Sequence, residues 1–292
     1  MFLDIGFWGV QLLNALQFSM LLFLLSVGLT VIFGLMNFVN LAHGSLYALG
    51  AFAGWTLAHA SGSYWVALAF APLVTAVVGG LLYVTLIDRL RSAGPMNQVL
   101  VTFGLIFVLL DVFRFAWGDF ALGIDAPSLL AGTISVGGEA YPVYRLFIIA
   151  LGLVVMAALW LVLERTNVGA MIRAGVDNGD MAACLGMNVE GVFFVVFCVG
   201  CALAGLAGVV AAPILSVYPG MGIEFLIPTL IVVVIGGLGS LRGAIAGALL
   251  VGMLQTFGKV IAPHLASMMV YVLLAGVLIL RPQGLFPAKS AG

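Results

Sequence analysis

The residues best suited to contact a small polar solute lie in one break between two apolar runs. The segment GLMNFVNLAHGS, residues 34–45, has no charged side chain but carries Asn37, Asn40, His43 and Ser45. Amide and imidazole groups need hydrogen-bond partners within a membrane, so irregular backbone here must face protein or a water-filled cavity. We therefore expect these side chains either to line a path for a solute or to hold a broken helix against its neighbour.

A second break is rich in glycine. Residues 236–247, GGLGSLRGAIAG, contain a single charge, Arg242, and glycines spaced four apart. This spacing predicts a small-residue face on one helix, where two backbones can approach closely. We expect this face to serve either packing within the chain or an interface with a sister chain; its members are Gly239, Gly243 and Gly247. Both breaks follow an apolar run and precede a Gly/Ala-rich one, which hints at a degenerate internal repeat.

The most polar stretch of the chain covers about residues 164–190. Within it, Asp180 to Leu185 predicts a short helix, because a carboxylate suits the positive N-terminal end and alanine favours the helical state. Gly186 then suits the C-terminal turn. We expect the apolar face of this helix either to receive a partner protein or to lie on the chain's own helices or at the membrane interface; it is formed by Met181, Cys184 and Leu185.

The apolar runs hold almost no group suited to acid–base or ion-coupling chemistry. Proton pumps and ion-coupled transporters carry charges at membrane depth, whereas Asp111, Arg114 and Glu224 lie toward the ends of apolar runs. The motifs H-E-x-x-H, G-x-S-x-G and G-x-x-x-x-G-K-[ST] are missing from the sequence. Cys198 and Cys201 stand in apolar surroundings and are expected to be packing residues. We expect no catalytic residue, metal or cofactor in this chain, so a partner would have to supply energy for active transport.

Composition assigns the chain to a membrane. Of its 292 residues, 64% are hydrophobic and 7% are charged, whereas a soluble domain carries about 25% charged residues. A net charge of -1 also argues against nucleic-acid binding. We predict an all-α, polytopic transmembrane helix bundle of about eight to ten spans with broken or re-entrant segments, forming one domain over residues 1–292. Candidate spans of roughly 20 apolar residues are 10–33, 44–60, 64–87, 97–117, 143–163, 191–212, 222–237, 243–262 and 265–280; the seventh is short and holds Pro228.

Positive charges in short loops predict the orientation, because cytoplasmic loops keep the excess of Lys and Arg. With nine spans, the N-terminus lies outside and the C-terminus in the cytoplasm. The loop of about 118–142 then faces out and the loop of about 164–190 faces in. Arg114, Arg145 and Lys259 would be outer cations that snorkel from span ends. The cytoplasmic cations would be Arg89, Arg91, Arg165, Arg173, Arg242, Arg281 and Lys289.

Several segments give the chain a resemblance to a known family. The motif D-M-A-x-x-x-G at 180–186 is similar to the E-A-A-x-x-x-G loop of permease subunits of ATP-binding-cassette importers. Asp180 and Met181 stand where that family has Glu and Ala. Three longer runs and the closing RPQGLF resemble the branched-chain amino-acid permeases: RAGVDNGDMAACLGMNV, FGLMNFVNLAHGSLYALGAF and GGLGSLRGAIAGALL. The resemblance extends over nearly the whole chain.

This resemblance implies the permease subunit of an importer for branched-chain or related hydrophobic amino acids in the bacterial inner membrane. In that family the loop helix fits a cleft on the ATPase subunit, which implies a coupling role for Arg173, Asp180, Met181, Ala182, Leu185 and Gly186. The implied partners are two ATPase subunits that bind the ATP, a sister permease in a heterodimer, and a periplasmic substrate-binding protein. A permease for urea or short amides, or a passive channel for a small neutral solute, remains an alternative.

Overall fold

Helices dominate the computed structural model, which describes residues 5–36, 38–90 and 93–286. Ten helices run along this part of the chain, and one short antiparallel hairpin interrupts them. The helices are α1 (Ile5–Met36), α2 (His43–Ser61), α3 (Tyr64–Leu90, with a π-helical turn at Tyr83–Ile87), α4 (Pro95–Trp117), α5 (Val143–Arg165), α6 (Asn167–Cys184), α7 (Val189–Leu215), α8 (Met221–Gly236), α9 (Leu241–Ile261) and α10 (Ala266–Leu280); the strands are β1 (Thr133–Val136) and β2 (Glu139–Pro142).

The predicted all-α membrane bundle is confirmed. Each of the nine apolar stretches predicted from the sequence coincides with one of these helices, and α6 is the additional one. Six helices are long and apolar enough to cross a membrane, namely α1, α3, α4, α5, α7 and α9. The apolar helices α8 and α10 are shorter. The hairpin β1–β2 in the loop of 118–142 was not anticipated from the sequence.

Two buried helices, α1 and α7, form the centre of the bundle. Almost every side chain of α1 from Ser19 to Thr30 is buried, and α7 is similarly buried from Leu203 to Ala212. The two helices cross where Gly28 meets Gly200. A Cβ atom added to Gly28 would lie 2.6 Å from the Gly200 carbonyl oxygen. Such close backbone contact replaces the hydrophobic effect as a source of helix association in a membrane.

The central helices run in opposite directions. The Arg145 guanidinium at the start of α5 bonds Asn14 in the first half of α1, whereas the adjacent Tyr144 hydroxyl donates to the carbonyl of Val210 near the end of α7. The beginning of α1 and the end of α7 therefore lie at one end of the bundle, together with β1–β2. We call this end the hairpin face and the opposite end, where α5 leads into α6, the α6 face.

The contacts of α1 and α7 reveal an inverted repeat. α1 packs antiparallel to α9, with Ser19 against Gly252 and Gly34 against Gly239. Likewise α7 packs antiparallel to α3, and Thr75 contacts Gly205 there. The unit α1–α2–α3 is thus related to α7–α8–α9, and because α1 and α7 are antiparallel, the two units have opposite orientations. This arrangement differs from the repeat suggested by the sequence, because the break at 34–45 corresponds to the connection between α7 and α8 and not to the glycine-rich break at 236–247.

Aromatic and exposed apolar side chains indicate how the bundle lies in a bilayer. Tryptophan is enriched at membrane–water interfaces, and four tryptophans occupy helix ends at the hairpin face: Trp8, Trp55, Trp65 and Trp117. Large apolar side chains on α3, α4 and α5 are exposed. Such a surface suits lipid or another membrane helix rather than water.

The glycine spacing of the second break is only partly a helix face. Gly239 precedes α9 and has φ +76°, a conformation that favours glycine. The expectation that all three glycines share one helical face is therefore wrong for Gly239. Gly243 and Gly247 do lie on α9, where they contact the backbone of α8 at Gly236 and Val232. All three positions make packing contacts within this chain.

A matched pair of glycine substitutions tests whether backbone contact holds the bundle together. A Cβ at Gly208 in α7 would clash with α2, 2.8 Å from the Ala51 nitrogen, whereas a Cβ at Gly104 in α4 would meet no described atom within 4 Å. We expect Gly208→Ala to destabilise the purified protein by about 1–3 kcal/mol, the usual cost of overpacking. Gly104→Ala should be neutral or stabilising by up to about 1 kcal/mol. Thermal unfolding in detergent measures both, and equal midpoints would contradict the packing described.

Candidate functional site at a junction of two helix N-termini

The polar break between α1 and α2 is a short irregular segment tied to α4. Helix α1 ends at Met36, and the chain is irregular from Phe38 until α2 begins at His43; Asn37 lies outside the described residues. The following backbone is anchored because the Leu41 N–H donates to the Thr102 hydroxyl oxygen at 3.3 Å. Thr102 is buried in α4. The break therefore has a defined path inside the protein.

In the inverted repeat, the counterpart of this break is the connection between α7 and α8, residues 216–220. Here Val217 pairs with Leu122 through two backbone hydrogen bonds of 2.7 and 2.8 Å. Ser216, which ends α7, has φ +58°, a left-handed conformation that is uncommon for residues other than glycine. The chain then turns back into the bundle and begins α8 at Met221.

The two broken helices meet at their N-terminal ends. Gly44 and Gly222, each the second residue of its helix, contact one another, and a Cβ on Gly222 would lie 2.6 Å from the Gly44 carbonyl oxygen. Ser45 is buried against Gly222. Most N–H groups at these two helix starts are bonded to backbone carbonyls, but the N-terminus still carries the positive end of the helix dipole. The junction therefore favours a negatively charged or strongly accepting group near the centre of the bundle.

His43 ties the start of α2 to α1. Its side chain is fully buried, and Nε2 lies 3.1 Å from the Leu25 carbonyl oxygen. A carbonyl can only accept, so Nε2 carries the proton in this contact and Nδ1 is left as an acceptor. Nδ1 has no hydrogen-bond partner in the described part of the chain. The contact with Leu25 supports the structural alternative for His43, while the free Nδ1 leaves a role toward a solute as a prediction.

Two further buried polar groups at the junction have unused hydrogen-bonding capacity. Asn40 and Tyr47 are each 2% exposed, and neither Asn40 Oδ1 nor the Tyr47 hydroxyl has a partner among the residues that the structure describes. A buried polar group without a partner costs about 1–3 kcal/mol, so such groups are retained where a ligand or water satisfies them. Tyr47 was missed in the sequence analysis, although it lies one helical turn after His43.

The acidic side of the junction belongs to α8. Glu224 stands in the first turn of α8 and accepts a hydrogen bond from the Tyr218 hydroxyl. Burial and the adjacent Glu224 carboxylate raise the pKa of Tyr218 to about 12, so its hydroxyl stays a donor at neutral pH. Phe225 packs against Tyr47 with ring centroids 5.3 Å apart. Sequence analysis noted Glu224 only as a charge near a span end, because the approach of α8 to α2 is a tertiary contact.

No metal site accompanies these groups, since the described residues contain no cluster of three His, Cys, Asp or Glu side chains that could hold an ion. The junction offers amide, hydroxyl, imidazole and carboxylate groups beside apolar side chains. Such a set can bind a small zwitterion or amide by several weak contacts, which suits passage better than a tight trap.

At the α6 face, the polar loop forms a bent helix. Asn178 has non-helical torsion angles (φ -159°, ψ 92°) and divides α6 into two parts. Its Oδ1 accepts from the Met181 N–H at 2.9 Å and so caps the second part. The short helix predicted at Asp180–Leu185 is therefore present, as the C-terminal part of a longer element, with Asp180 in its first turn.

The end of α6 is closed by a glycine turn. Gly186 has φ +88°, its N–H bonds the Ala183 carbonyl at 2.9 Å, and the Met187 N–H bonds the Ala182 carbonyl at 3.1 Å. This pair of bonds is the Schellman motif, which ends a helix at a left-handed residue. The chain therefore turns sharply after Leu185 and leaves the helix end projecting from the bundle.

The projecting end of α6 carries an apolar surface that this chain does not cover. Met181 is 63% exposed and Leu185 is 84% exposed, whereas the adjacent Ala182 is buried. We call Met181 and Leu185 the α6 knob. Arg173 is exposed and donates to the Leu163 carbonyl, which attaches the first part of α6 to the end of α5. The exposure argues against packing on the chain's own helices, and contact with a partner or with the membrane interface stays a prediction.

Comparison with known proteins agrees with this architecture. A family model described as "Branched-chain amino acid transport system / permease component" matches residues 11–280. The permease protein BraD of the high-affinity branched-chain amino acid transport system of Pseudomonas aeruginosa is 29% identical over 291 residues, covering 94% of each chain. LivH of Escherichia coli strain K12, from a system of the same description, is 24% identical over 292 residues and 94% of each chain.

A relative from a different organism carries a similar description. The probable branched-chain amino acid transport permease LivH of Methanocaldococcus jannaschii is 26% identical over 274 residues, which cover 87% of this chain and 81% of that protein. No solved structure matches. Since the family model extends over most of the helix bundle, this multi-pass membrane chain belongs to the family of permease components of branched-chain amino acid transport systems.

Proposed function

We propose that the chain is the permease subunit of an ATP-binding-cassette importer for branched-chain or related hydrophobic amino acids. The α6 knob is the observation that carries this proposal. Two large apolar side chains project from a capped helix end and touch little of their own chain. Such a surface suits a cleft on an ATPase subunit, and ATP would bind there rather than on this chain. Closure of the ATPases would move α6 and shift the bundle between access states.

The proposed orientation places the α6 face in the cytoplasm of a bacterial inner membrane. Cytoplasmic loops carry the excess of Lys and Arg, and five described arginines lie at the α6 face: Arg89, Arg165, Arg173, Arg242 and Arg281. Arg91 and Lys289 fall outside the described residues. The hairpin face has fewer cations, and one of them, Arg114, bonds Asp119 at 3.2 Å. The hairpin face would then receive the periplasmic substrate-binding protein.

The proposed substrate is a zwitterion with an aliphatic side chain. Its carboxylate would suit the paired N-termini of α2 and α8, and its ammonium group would suit acceptors such as Glu224 and Asn40. The relatives BraD and LivH belong to branched-chain amino acid systems, which supports this class. Two ATPase subunits and a sister permease would complete the importer. The alternatives are a permease for urea or short amides and a passive channel. Either would use the same junction for a solute that lacks the carboxylate, the ammonium group or both.

A matched pair of tyrosine substitutions tests the junction as a substrate site. Removing the Tyr47 hydroxyl breaks no hydrogen bond to the described residues, so Tyr47→Phe should fold normally. If that hydroxyl contacts the solute, a bond of about 1 kcal/mol is lost and KM for uptake rises about fivefold. Uptake of radiolabelled leucine, isoleucine, valine and urea by cells with the complete importer measures the change and identifies the substrate.

Tyr144→Phe is the control for this experiment. The Tyr144 hydroxyl donates to Val210 at 2.8 Å and pairs with Tyr64 at 2.6 Å, so its loss should cost about 1–3 kcal/mol of stability and leave KM unchanged. Equal KM values for the wild type and Tyr47→Phe would show that the Tyr47 hydroxyl does not contact the solute. Preferential uptake of urea would show that the chain is a permease for urea or short amides and not for amino acids.

A charge placed on the α6 knob tests the coupling role. Leu185→Asp should leave folding intact because the side chain is exposed, but a carboxylate carried into an apolar cleft costs about 3 kcal/mol or more. We therefore expect the affinity for the ATPase subunit to fall about 100-fold and uptake to cease. Leu129→Asp is the control, since Leu129 is 79% exposed at the opposite face. Normal ATPase co-purification and uptake with Leu185→Asp would exclude the knob as the docking point.

The native cysteines test the orientation. Cys184 at the end of α6 is exposed, whereas Cys201 is buried. A membrane-impermeant maleimide should label Cys184 in inside-out vesicles and not in intact spheroplasts. In a Cys184→Ser background, Ser128→Cys in the hairpin-face loop should show the opposite pattern. Labelling of Cys184 from outside would invert the proposed topology.

A further inference from the structure

A polar cavity at the hairpin face lies apart from the junction of α2 and α8. Its volume is about 430 Å³, and it is an open cavity bordered by α1, α5 and α9. The apolar side chains Phe18 and Val260 form part of its wall, and the polar lining consists of Gln11, Asn14, Gln17, Arg145, Gln255, Thr256 and Lys259. The three polar residues on α1 recur at every third position and so share a helix face, a signal that the sequence analysis did not use.

Both charged groups of the cavity are cations. Arg145 donates from Nη1 to Asn14 Oδ1 at 2.6 Å, and within the described residues no carboxylate forms an ion pair with Arg145 or Lys259. Arg114, the other described cation at this face, is paired with Asp111 and Asp119. Two unneutralised cations that share a cavity repel each other unless an anion lies between them.

A second observation indicates an occupant. Gln255 Oε1 is buried and has no hydrogen-bond partner in the described part of the chain. Rotation of the Gln255 amide by 180° would bring its NH₂ group to this position, and the four amides of the cavity can then add donors to the two cations. This donor-rich lining matches an oxyanion. It does not match a zwitterionic amino acid, whose ammonium group would need a carboxylate that the lining does not offer.

The position of the cavity favours a lipid as the source of the oxyanion. Arg145 is the third residue of α5, and Lys259 lies near the end of α9, so both are at the level where headgroups lie. Trp8 stacks on Phe257 near the same ends of α1 and α9, with ring centroids 6.0 Å apart. This aromatic pair has the location of an interfacial anchor. The neighbouring helices α5 and α10 expose apolar side chains along their length, which suits acyl chains.

We propose that this cavity binds the phosphate of an anionic phospholipid headgroup through Arg145 and Lys259, with the amides of α1 and α9 as further donors. Basic pockets between transmembrane helices on the cytoplasmic side bind anionic headgroups, and the proposed site uses the same chemistry at the opposite face. Bound lipid would fasten α1 to α5 and α9 at the hairpin face. This proposal is independent of the proposed substrate, because it concerns a different group of residues.

The test measures retention of added phosphatidylglycerol by the delipidated, detergent-purified protein, with native mass spectrometry as the readout. Replacing one cation should weaken retention about fivefold, which corresponds to about 1 kcal/mol per basic side chain near a membrane surface. Lys259→Gln is the main variant because its side chain is exposed and its loss should leave folding intact. Arg145→Gln should have at least the same effect, since it also removes the bond to Asn14.

Arg114→Gln is the matched control, and it should retain phosphatidylglycerol as the wild type does. Equal retention in Lys259→Gln and the wild type would overturn the proposal, and so would equal retention of phosphatidylcholine and phosphatidylglycerol. Displacement of the lipid by leucine would assign the cavity to the solute carboxylate and overturn the lipid assignment. Displacement by inorganic phosphate alone would show a site for a free anion, with the same consequence.

Discussion

Backbone contact between glycines is the interaction on which the rest of this structure depends. The hydrophobic effect cannot bring helices together in lipid, so association relies on close packing and hydrogen bonds. Gly28 meets Gly200 where the central helices cross, and Gly44 meets Gly222 where the broken helices begin. Each contact joins one half of the inverted repeat to the other. The two units of the repeat are therefore in contact at glycines, and larger side chains at these positions would separate the two units.

The broken helices follow from this packing. Because α2 and α8 begin inside the bundle, their N-terminal N–H groups and dipoles lie in protein rather than in water. The polar groups around them are then buried, and Asn40 and Tyr47 keep hydrogen-bonding atoms with no partner among the described residues. A fully satisfied site would bind its solute poorly or not at all. In the proposed importer, this unused polar capacity at the centre of an apolar bundle would let a solute bind weakly and be released.

The bundle keeps its three candidate functional regions apart. The junction lies between the repeats, the α6 knob projects from one face, and the cavity of Arg145 and Lys259 lies at the other. In the proposed importer these regions have different tasks, namely solute passage, coupling to ATP hydrolysis and attachment to lipid. Helix α1 contributes to all three, since it borders the cavity, crosses α7 and also packs against α6. A movement of α6 would therefore reach the centre of the bundle through directly packed elements.

The sequence by itself determined the membrane class, the nine apolar helices, the glycine turn at Gly186 and the family, because span length, hydropathy, turn chemistry and family motifs are local properties. It also located the break that carries Asn40, His43 and Ser45. The sequence did not determine which groups meet. The approach of Gly222 to Gly44, the packing of Phe225 against Tyr47, and the cavity shared by Asn14, Arg145 and Lys259 join residues far apart in the chain. Only the tertiary structure decided these, because side chains that share no helix are brought together by helix packing, and local sequence patterns do not encode that packing.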